Sequence, residues 1–187
     1  MKVYAASTNQ GKLQEFGAEA LPGLKQIPPP EETGDTFAEN AAIKAAYYSR
    51  HLPGELVIAD DSGLSVDALG GAPGVHSARY AGVDGDAEAN KQKLLRAMDG
   101  IENRAAKFVC VIALAKDGEV LATFEGEVRG EILREARGTG GFGYDPLFYY
   151  PPLGVTFAEA SAEQKHSVSH RGRALRKLHE FLESSAF

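Results

Sequence analysis

The order of apolar and polar positions divides the chain into a short series of elements. Val3 to Ala6 read as a short strand, Ser7-Thr8-Asn9-Gln10-Gly11-Lys12 as a polar turn, and Leu13 to Ala20 as a helix. Pro22 to Glu32 contain four prolines, which predicts a connector with a short strand around Leu24 to Ile27. Thr36-Phe37-Ala38-Glu39 opens an Ala-rich helix running to about Arg50, and Thr36 with Glu39 matches a capping box. Val57-Ile58-Ala59 is the apolar run of a buried strand that delivers Asp60, Asp61 and Ser62 to its exit, with Gly63 letting the chain turn. Gly85 to Met98 form an amphipathic helix with Leu94, Leu95 and Met98 on its apolar side. Phe108 to Ala115 are continuously apolar and read as a buried strand. The Asp117-Gly118 dipeptide signals a hairpin. Val120, Ala122, Phe124, Val128 and Ile132 then alternate with Thr123, Glu125, Glu127, Arg129 and Glu131, as in a long antiparallel strand with one wet face. A last helix carries Leu175, Leu178 and Leu182 on one side, with Ser169 as its N-cap.

Composition narrows the class. At 187 residues the chain is long enough for one sizeable core, and one domain spanning residues 1–187 is expected. Apolar residues make up 43% and charged residues 25%, the proportions of a soluble globular protein. A formal net charge of −6 argues against a nucleic-acid duplex as partner, while leaving room for a locally basic nucleotide pocket. The single cysteine, Cys110, excludes an intramolecular disulfide and a Cys-rich zinc site, and its apolar neighbours make it a small buried hydrophobe. The N-terminal Met1-Lys2-Val3-Tyr4 turns polar too soon for a signal peptide, and no apolar run has membrane-spanning length, so a cytoplasmic location is expected, with no membrane partner.

Chemistry concentrates in five stretches. Carboxylates at the end of a buried strand are costly unless a cation meets them, and Asp60 and Asp61 suit a hard divalent metal such as Mg²⁺; a polar strand-end turn is the plainer reading. Glu39 is either the cap of its own helix or a second acid facing the same metal. Asn40 and Lys44 lie one turn apart on one face of that helix. The strand, polar loop and helix start around Ser7 to Lys12 form an anion site that is not a Walker A loop. Four glycines in Arg137 to Pro146 let backbone approach a ligand, and the interleaved Phe142 and Tyr144 offer an aromatic face for a base. His170 and Arg171 fall in a first helical turn, where the dipole disfavours cations unless acceptor oxygens are bound there. His76 and Arg79 read as surface residues, with a phosphate or acidic neighbour open to Arg79.

Taken in order, Ser7 to Lys12, Thr36 to Asn40, Ala59 to Leu64, Gly70 to Gly74 with Ser77 to Tyr80, Gly138 to Pro146, and Ser169 to Gly172 resemble the inosine triphosphate pyrophosphatase family over nearly the whole chain. The family's first loop often begins Thr-Gly-Asn, where this chain has Ser7-Thr8-Asn9. The resemblance implies an α/β fold: an elongated mixed β-sheet flanked by helices, in two lobes with a nucleotide cleft between them, and a homodimer. It implies that Glu39 and Asp61 serve Mg²⁺, with Asp61 as catalytic base. Ser7, Thr8, Asn9, Gln10, Gly11 and Lys12 would cradle the triphosphate. Ser62, Phe142, Gly143, Tyr144, Asp145, Lys165, His170 and Arg171 would contact the nucleotide.

The reaction so implied is hydrolysis of ITP, dITP or XTP to monophosphate and pyrophosphate by direct water attack, with Lys12 and Lys44 offsetting phosphate charge. Donors near His170 and Arg171 would favour the six-position carbonyl of hypoxanthine and xanthine over the amino group of adenine. Alternatives are a related pyrophosphatase for pyrimidine or methylated nucleotides, a non-catalytic nucleotide sensor, and a haloacid-dehalogenase-type phosphatase. The last is disfavoured because Asp60 and Asp61 are adjacent rather than spaced as Asp-x-Asp.

Overall fold

The computed structural model describes residues 2–184, so Met1 and residues 185–187 lie outside it. Seven strands and five α-helices follow in the order β1 (Val3–Ala5), α1 (Gln10–Phe16), β2 (Glu19–Ala20), α2 (Phe37–Ser49), β3 (Leu56–Val66), α3 (Ala87–Ala97), β4 (Ala105–Lys116), β5 (Glu119–Ile132), β6 (Phe148–Tyr150), β7 (Val155–Thr156), α4 (Ala162–Val168) and α5 (His170–Ser184). The strands form one mixed sheet in the order β2-β1-β3-β4-β5-β6-β7. β1 runs parallel to both β2 and β3, whereas β5–β6 and β6–β7 are antiparallel. Among the described residues no helix is long and apolar enough to cross a membrane.

The chain divides into two compact units. The first comprises residues 1–61, 110–126 and 171–187; the second comprises 62–109 and 127–170. In the first unit, alternation along the sheet separates two apolar clusters. Ala5, Leu56 and Ile58 pack with Phe16 of α1 and with Ala174, Leu175 and Leu178 of α5. Val57 packs instead with Leu21 and with Tyr48 of α2. Successive strand residues point to opposite faces, so α1 and α5 cover one face of β3 and α2 the other. The core of the second unit joins Leu64 and Val66 to Leu94, Met98, Phe108, Val128, Ile132, Phe148 and Phe157.

Several boundaries differ from the sequence-based expectation. β3 does not end at Asp60-Asp61: it continues through Gly63 to Val66, because Leu64 and Val66 carry the strand alternation into a second core. The first helix starts at Gln10, where the Asn9 side chain accepts from the Lys12 backbone N–H, and it stops at Gly17, leaving Glu19–Ala20 as an edge strand. Leu24–Gln26 form a 3₁₀ turn instead of a strand, and Pro28, Pro29 and Pro30 follow without backbone donors for a ladder. The Asp117-Gly118 hairpin is present, with both residues at positive φ, as a tight primed turn requires. Val120 is exposed, so the dry face of β5 begins further along, at Phe124.

Candidate active site

The site in the first unit is built where β1 stops and β3 does not. The parallel register pairs Ala5 with Ile58, and the Ala6 N–H donates to the Ile58 carbonyl at 2.9 Å. β1 ends there, and Asp60 and Asp61 follow on β3 just beyond the carboxyl end of its neighbour. Open crevices past the carboxyl ends of parallel strands are where α/β proteins place ligands.

Strand alternation sends the two adjacent aspartates to opposite faces. Asp60 shares the α1/α5 face with Ile58. Its side chain is almost wholly buried, and its Oδ1 and Oδ2 accept from Lys12 Nζ at 3.1 and 3.0 Å. Burial opposes its ionisation, but Lys12 and Arg171 outweigh burial and hold its pKa below the ordinary value. Arg171, in the first turn of α5, pairs through Nη1 with Glu15 of α1 at 3.2 Å. Lys12 and Glu15 are three residues apart on α1, so one side of that short helix carries a cation and an anion to the same buried charge cluster.

Asp61 lies on the α2 face. Its Oδ1 is 3.7 Å from Lys44 Nζ, while its Oδ2 is buried and has no hydrogen-bond partner among the described residues. Burial is the largest influence on its carboxyl and raises the pKa from 3.8 to about 6; Glu32 and Asp60 push the same way, and Lys44 and Asn40 pull against them. Lys44 Nζ is closer to Glu32 Oε1, at 3.0 Å, than to Asp61.

The polar face of α2 also has a local task. Asn40 Oδ1 accepts from the Gly34 N–H at 2.7 Å, Asn40 Nδ2 donates back to the Gly34 carbonyl at 3.4 Å, and Glu39 Oε2 accepts from the Asp35 N–H at 2.8 Å. With Glu32 on Lys44, three side chains of α2 fasten the stretch 32–35 across the start of their own helix. A Cβ on Gly34 would lie 2.6 Å from both Asn40 Oδ1 and Glu39 Cβ, so the strap needs glycine at that point. The capping reading of Glu39 therefore holds, with Asp35 rather than Thr36 as the donor.

Among the described residues, no group of three His, Cys, Asp or Glu side chains gathers as a metal cage. A small hard cation held by one or two carboxylates plus substrate oxygens needs no such cage. The buried, unpartnered Oδ2 of Asp61 fits that kind of ion, because it is an anionic oxygen whose desolvation only a cation or donor can offset.

The rest of the first loop is modest. Ser7 Oγ accepts from the Asn9 N–H at 3.1 Å and Asn9 caps α1, so these two side chains close the turn. Thr8 is exposed, and Gln10 and Gly11 belong to the first turn of α1.

The second unit presents a different constellation. Asp145 is buried, and its Oδ2 accepts from the Phe142 N–H at 3.0 Å and from Lys165 Nζ at 2.5 Å. Lys165 Nζ also stands 4.4 Å from the centroid of the Phe142 ring, which is 62% exposed. Gly141 sits at φ +66°, and a Cβ there would come within 2.3 Å of Asp145 Oδ2, so the loop closes on the aspartate only with glycine at this position. Gly143 and Tyr144 complete the loop, but the aromatic pair is not one face. Tyr144 is buried, and its hydroxyl donates to the Ser77 carbonyl at 2.7 Å, while Ser77 Oγ accepts from the Leu64 N–H at 2.9 Å. Phe142 is left as the exposed ring. The His170 ring stacks on Phe108, centroids 5.0 Å apart and planes 17° apart, and Ser62 is half-buried on β3.

Two residues of these clusters escaped sequence reasoning, Glu15 and Glu32. Both are partners chosen by tertiary structure, and no local spacing marks either.

The chain is 52% identical to the dITP/XTP pyrophosphatase of Acidobacterium capsulatum, over 95% of this chain and 96% of that one. It is 49% identical to the dITP/XTP pyrophosphatase of Desulforamulus reducens, over 97% and 96%. The structure superposes on the Staphylococcus aureus Ham1 protein with a TM-score of 0.91, at 44% identity and 98% coverage of both chains. The resemblance drawn from the six motifs and the mixed α/β fold that it implied are both borne out. With residues 3–181 matching its family model, the chain belongs to the Ham1 family.

Proposed function

We propose that the chain is a Mg²⁺-dependent pyrophosphatase that hydrolyses deaminated purine nucleoside triphosphates, ITP, dITP and XTP, to monophosphate and pyrophosphate. The observation that carries the reading is Asp61: a half-buried carboxylate whose Oδ2 is buried and unpartnered and whose pKa is raised to about 6, just beyond the end of β1. That both relatives are dITP/XTP pyrophosphatases supports the substrate class.

Asp61 and Glu39 are the residues that would hold the metal, Glu39 through Oε1 while its Oε2 keeps the Asp35 N–H. Bound there, Mg²⁺ would supply charge neutralisation for the phosphates and acidify a water. Asp61 takes the proton of the attacking water. Lys12 and Lys44, the lysines beside the two aspartates, neutralise the phosphate oxygens. Ser7 to Gly11 offer backbone donors to the same phosphates. In the second unit, Phe142 offers its exposed face to a base, Asp145 and Lys165 hold the loop that carries it, and Ser62 and His170 are candidates for the ribose and base edge. Arg171, in the first unit, is a further candidate. Tyr144 contributes by fixing that loop to Ser77. The working form is a homodimer in the cytoplasm.

A panel of ITP, XTP, GTP, ATP and dTTP, with and without Mg²⁺ and scored for pyrophosphate, tests the reading. Preference for ITP and XTP with pyrophosphate as first product is the expected result. Preference for dTTP, free phosphate as first product, or binding without turnover would each overturn it. Light scattering at twice the chain mass checks the dimer.

A further inference from the structure

Asp60 is the one strongly buried acid of the first unit that this mechanism does not use. Its neighbour in sequence faces α2, but Asp60 faces α1 and α5, and its surroundings are cationic. Both of its oxygens are taken by one ammonium group, that of Lys12, at 3.0 and 3.1 Å, and Arg171 adds a second positive charge whose own partner is Glu15. A carboxylate so occupied is a poor ligand for a divalent ion. An ammonium has three donors, and Asp60 occupies two of them. The Lys12 side chain keeps about a quarter of its surface exposed, whereas Asp60 keeps about a twentieth. The geometry is thus one of a buried anchor and a partly exposed ammonium with a third donor that Asp60 does not occupy.

We propose that Asp60 is a positioning residue: it aims the Lys12 ammonium at the phosphate chain of the substrate and is not a second carboxylate for the metal. This rests on the triphosphate reading given above. A free lysine surrenders its rotamer freedom when it binds. Lys12 has surrendered much of it already, so removing the anchor should weaken phosphate binding three- to tenfold.

The test is a double-mutant cycle of Asp60→Asn and Lys12→Gln. Four quantities are read: calorimetric affinity for inorganic triphosphate without metal, KM and kcat for ITP, and the Mg²⁺ midpoint of activity. For Asp60→Asn the expected result is three- to tenfold weaker triphosphate binding, a matching rise in KM, kcat within about threefold and an unchanged Mg²⁺ midpoint. In the Lys12→Gln background the same substitution should change binding by less than twofold. Tighter binding, an effect that persists without Lys12, or a tenfold shift of the Mg²⁺ midpoint would each overturn the assignment. Should Asp60→Asn not fold, Asp60→Glu keeps the charge while displacing the ammonium, and the same dependence on Lys12 decides. Inactivity of the unmodified protein on ITP would refute the pyrophosphatase reading alone, since the triphosphate cycle still reports on Asp60.

Discussion

Replacing Asp61 by asparagine should make the metal-free protein more stable at neutral and alkaline pH. The reason is linkage. An acid whose pKa is higher in the folded than in the unfolded chain favours folding only while it is protonated. Its contribution is complete below the unfolded value near 3.8 and is lost as pH rises through the folded value of about 6. The gap between those values corresponds to ~3 kcal/mol. Burial is its first cause, and an unpartnered buried Oδ2 is its structural counterpart. Asparagine cannot ionise, so it escapes this penalty, but it loses the attraction to Lys44 at 3.7 Å and buries an amide instead. A net gain of roughly 1–3 kcal/mol at pH 8 remains, and at about 2–4 °C per kcal/mol for a chain of this size the melting temperature should rise by roughly 2–12 °C.

The assay is thermal unfolding of both proteins in a chelating buffer from pH 4 to pH 8. The variant should melt with the parent near pH 4 and progressively above it between pH 4 and pH 6, with a constant difference beyond. Other carboxylates titrate in both proteins and cancel. Adding Mg²⁺ at pH 8 should stabilise the parent and leave the variant unmoved, since an ion that binds only the folded state adds ~2.7 kcal/mol at a hundredfold excess over its dissociation constant. Turnover should be abolished in the variant although it is the better folded of the two. A variant that melts at or below the parent at pH 8 without metal would refute the argument, because burial would then not be what raises the Asp61 pKa.

Three further outcomes follow from single contacts. Gly34→Ala places a methyl 2.6 Å from Asn40 Oδ1 and should cost about 1–3 kcal/mol in urea unfolding, with the 32–35 strap displaced from α2. Tyr144→Phe leaves the Ser77 carbonyl without its phenolic donor and should cost about 1–3 kcal/mol by the same measurement, without creating a cavity. Cys110 is fully buried and its thiol is pushed far above the usual range, chiefly by burial; it should resist Ellman's reagent in the native protein and release one equivalent per chain in guanidinium.

What could be read from the sequence divides along physical lines. Signals that act within a few residues were legible. Thr36 caps α2, Asp117-Gly118 turns β4 into β5, and the apolar run at 108–115 is a buried strand. One such signal was overlooked: Ser161 and Gln164 form a full capping box, which marks the start of α4. The acids that matter were also visible as types, since Asp61 is half-buried on β3 and Lys44 reaches it. Pairings made across the fold were not legible. Glu15 meets Arg171 from 156 positions away, and nothing near either residue announces the other. Nor could the sequence foretell that Phe142 and Tyr144, two residues apart, divide between solvent and core, because the kinked glycine loop does not follow strand alternation.

The Asp60-Asp61 pair shows why the spacing of two acids misleads when the backbone beneath them is ignored. Read as a strand exit, the pair suggests two oxygens of one ligand set. Read as mid-strand residues, the same dipeptide requires two separate solutions, because each carboxylate emerges on its own face and must find its own cation there. The topology supplies both. α1 returns along one face with Lys12, α2 lies on the other with Lys44, and β1 is too short to fill the space between. Slipping β3 by a single residue against β1 would turn both acids to the wrong face, Asp60 toward α2 and Asp61 into the apolar company of Phe16 and Leu175. The register that pairs Ala5 with Ile58 is therefore as much a determinant of the chemistry as the aspartates themselves.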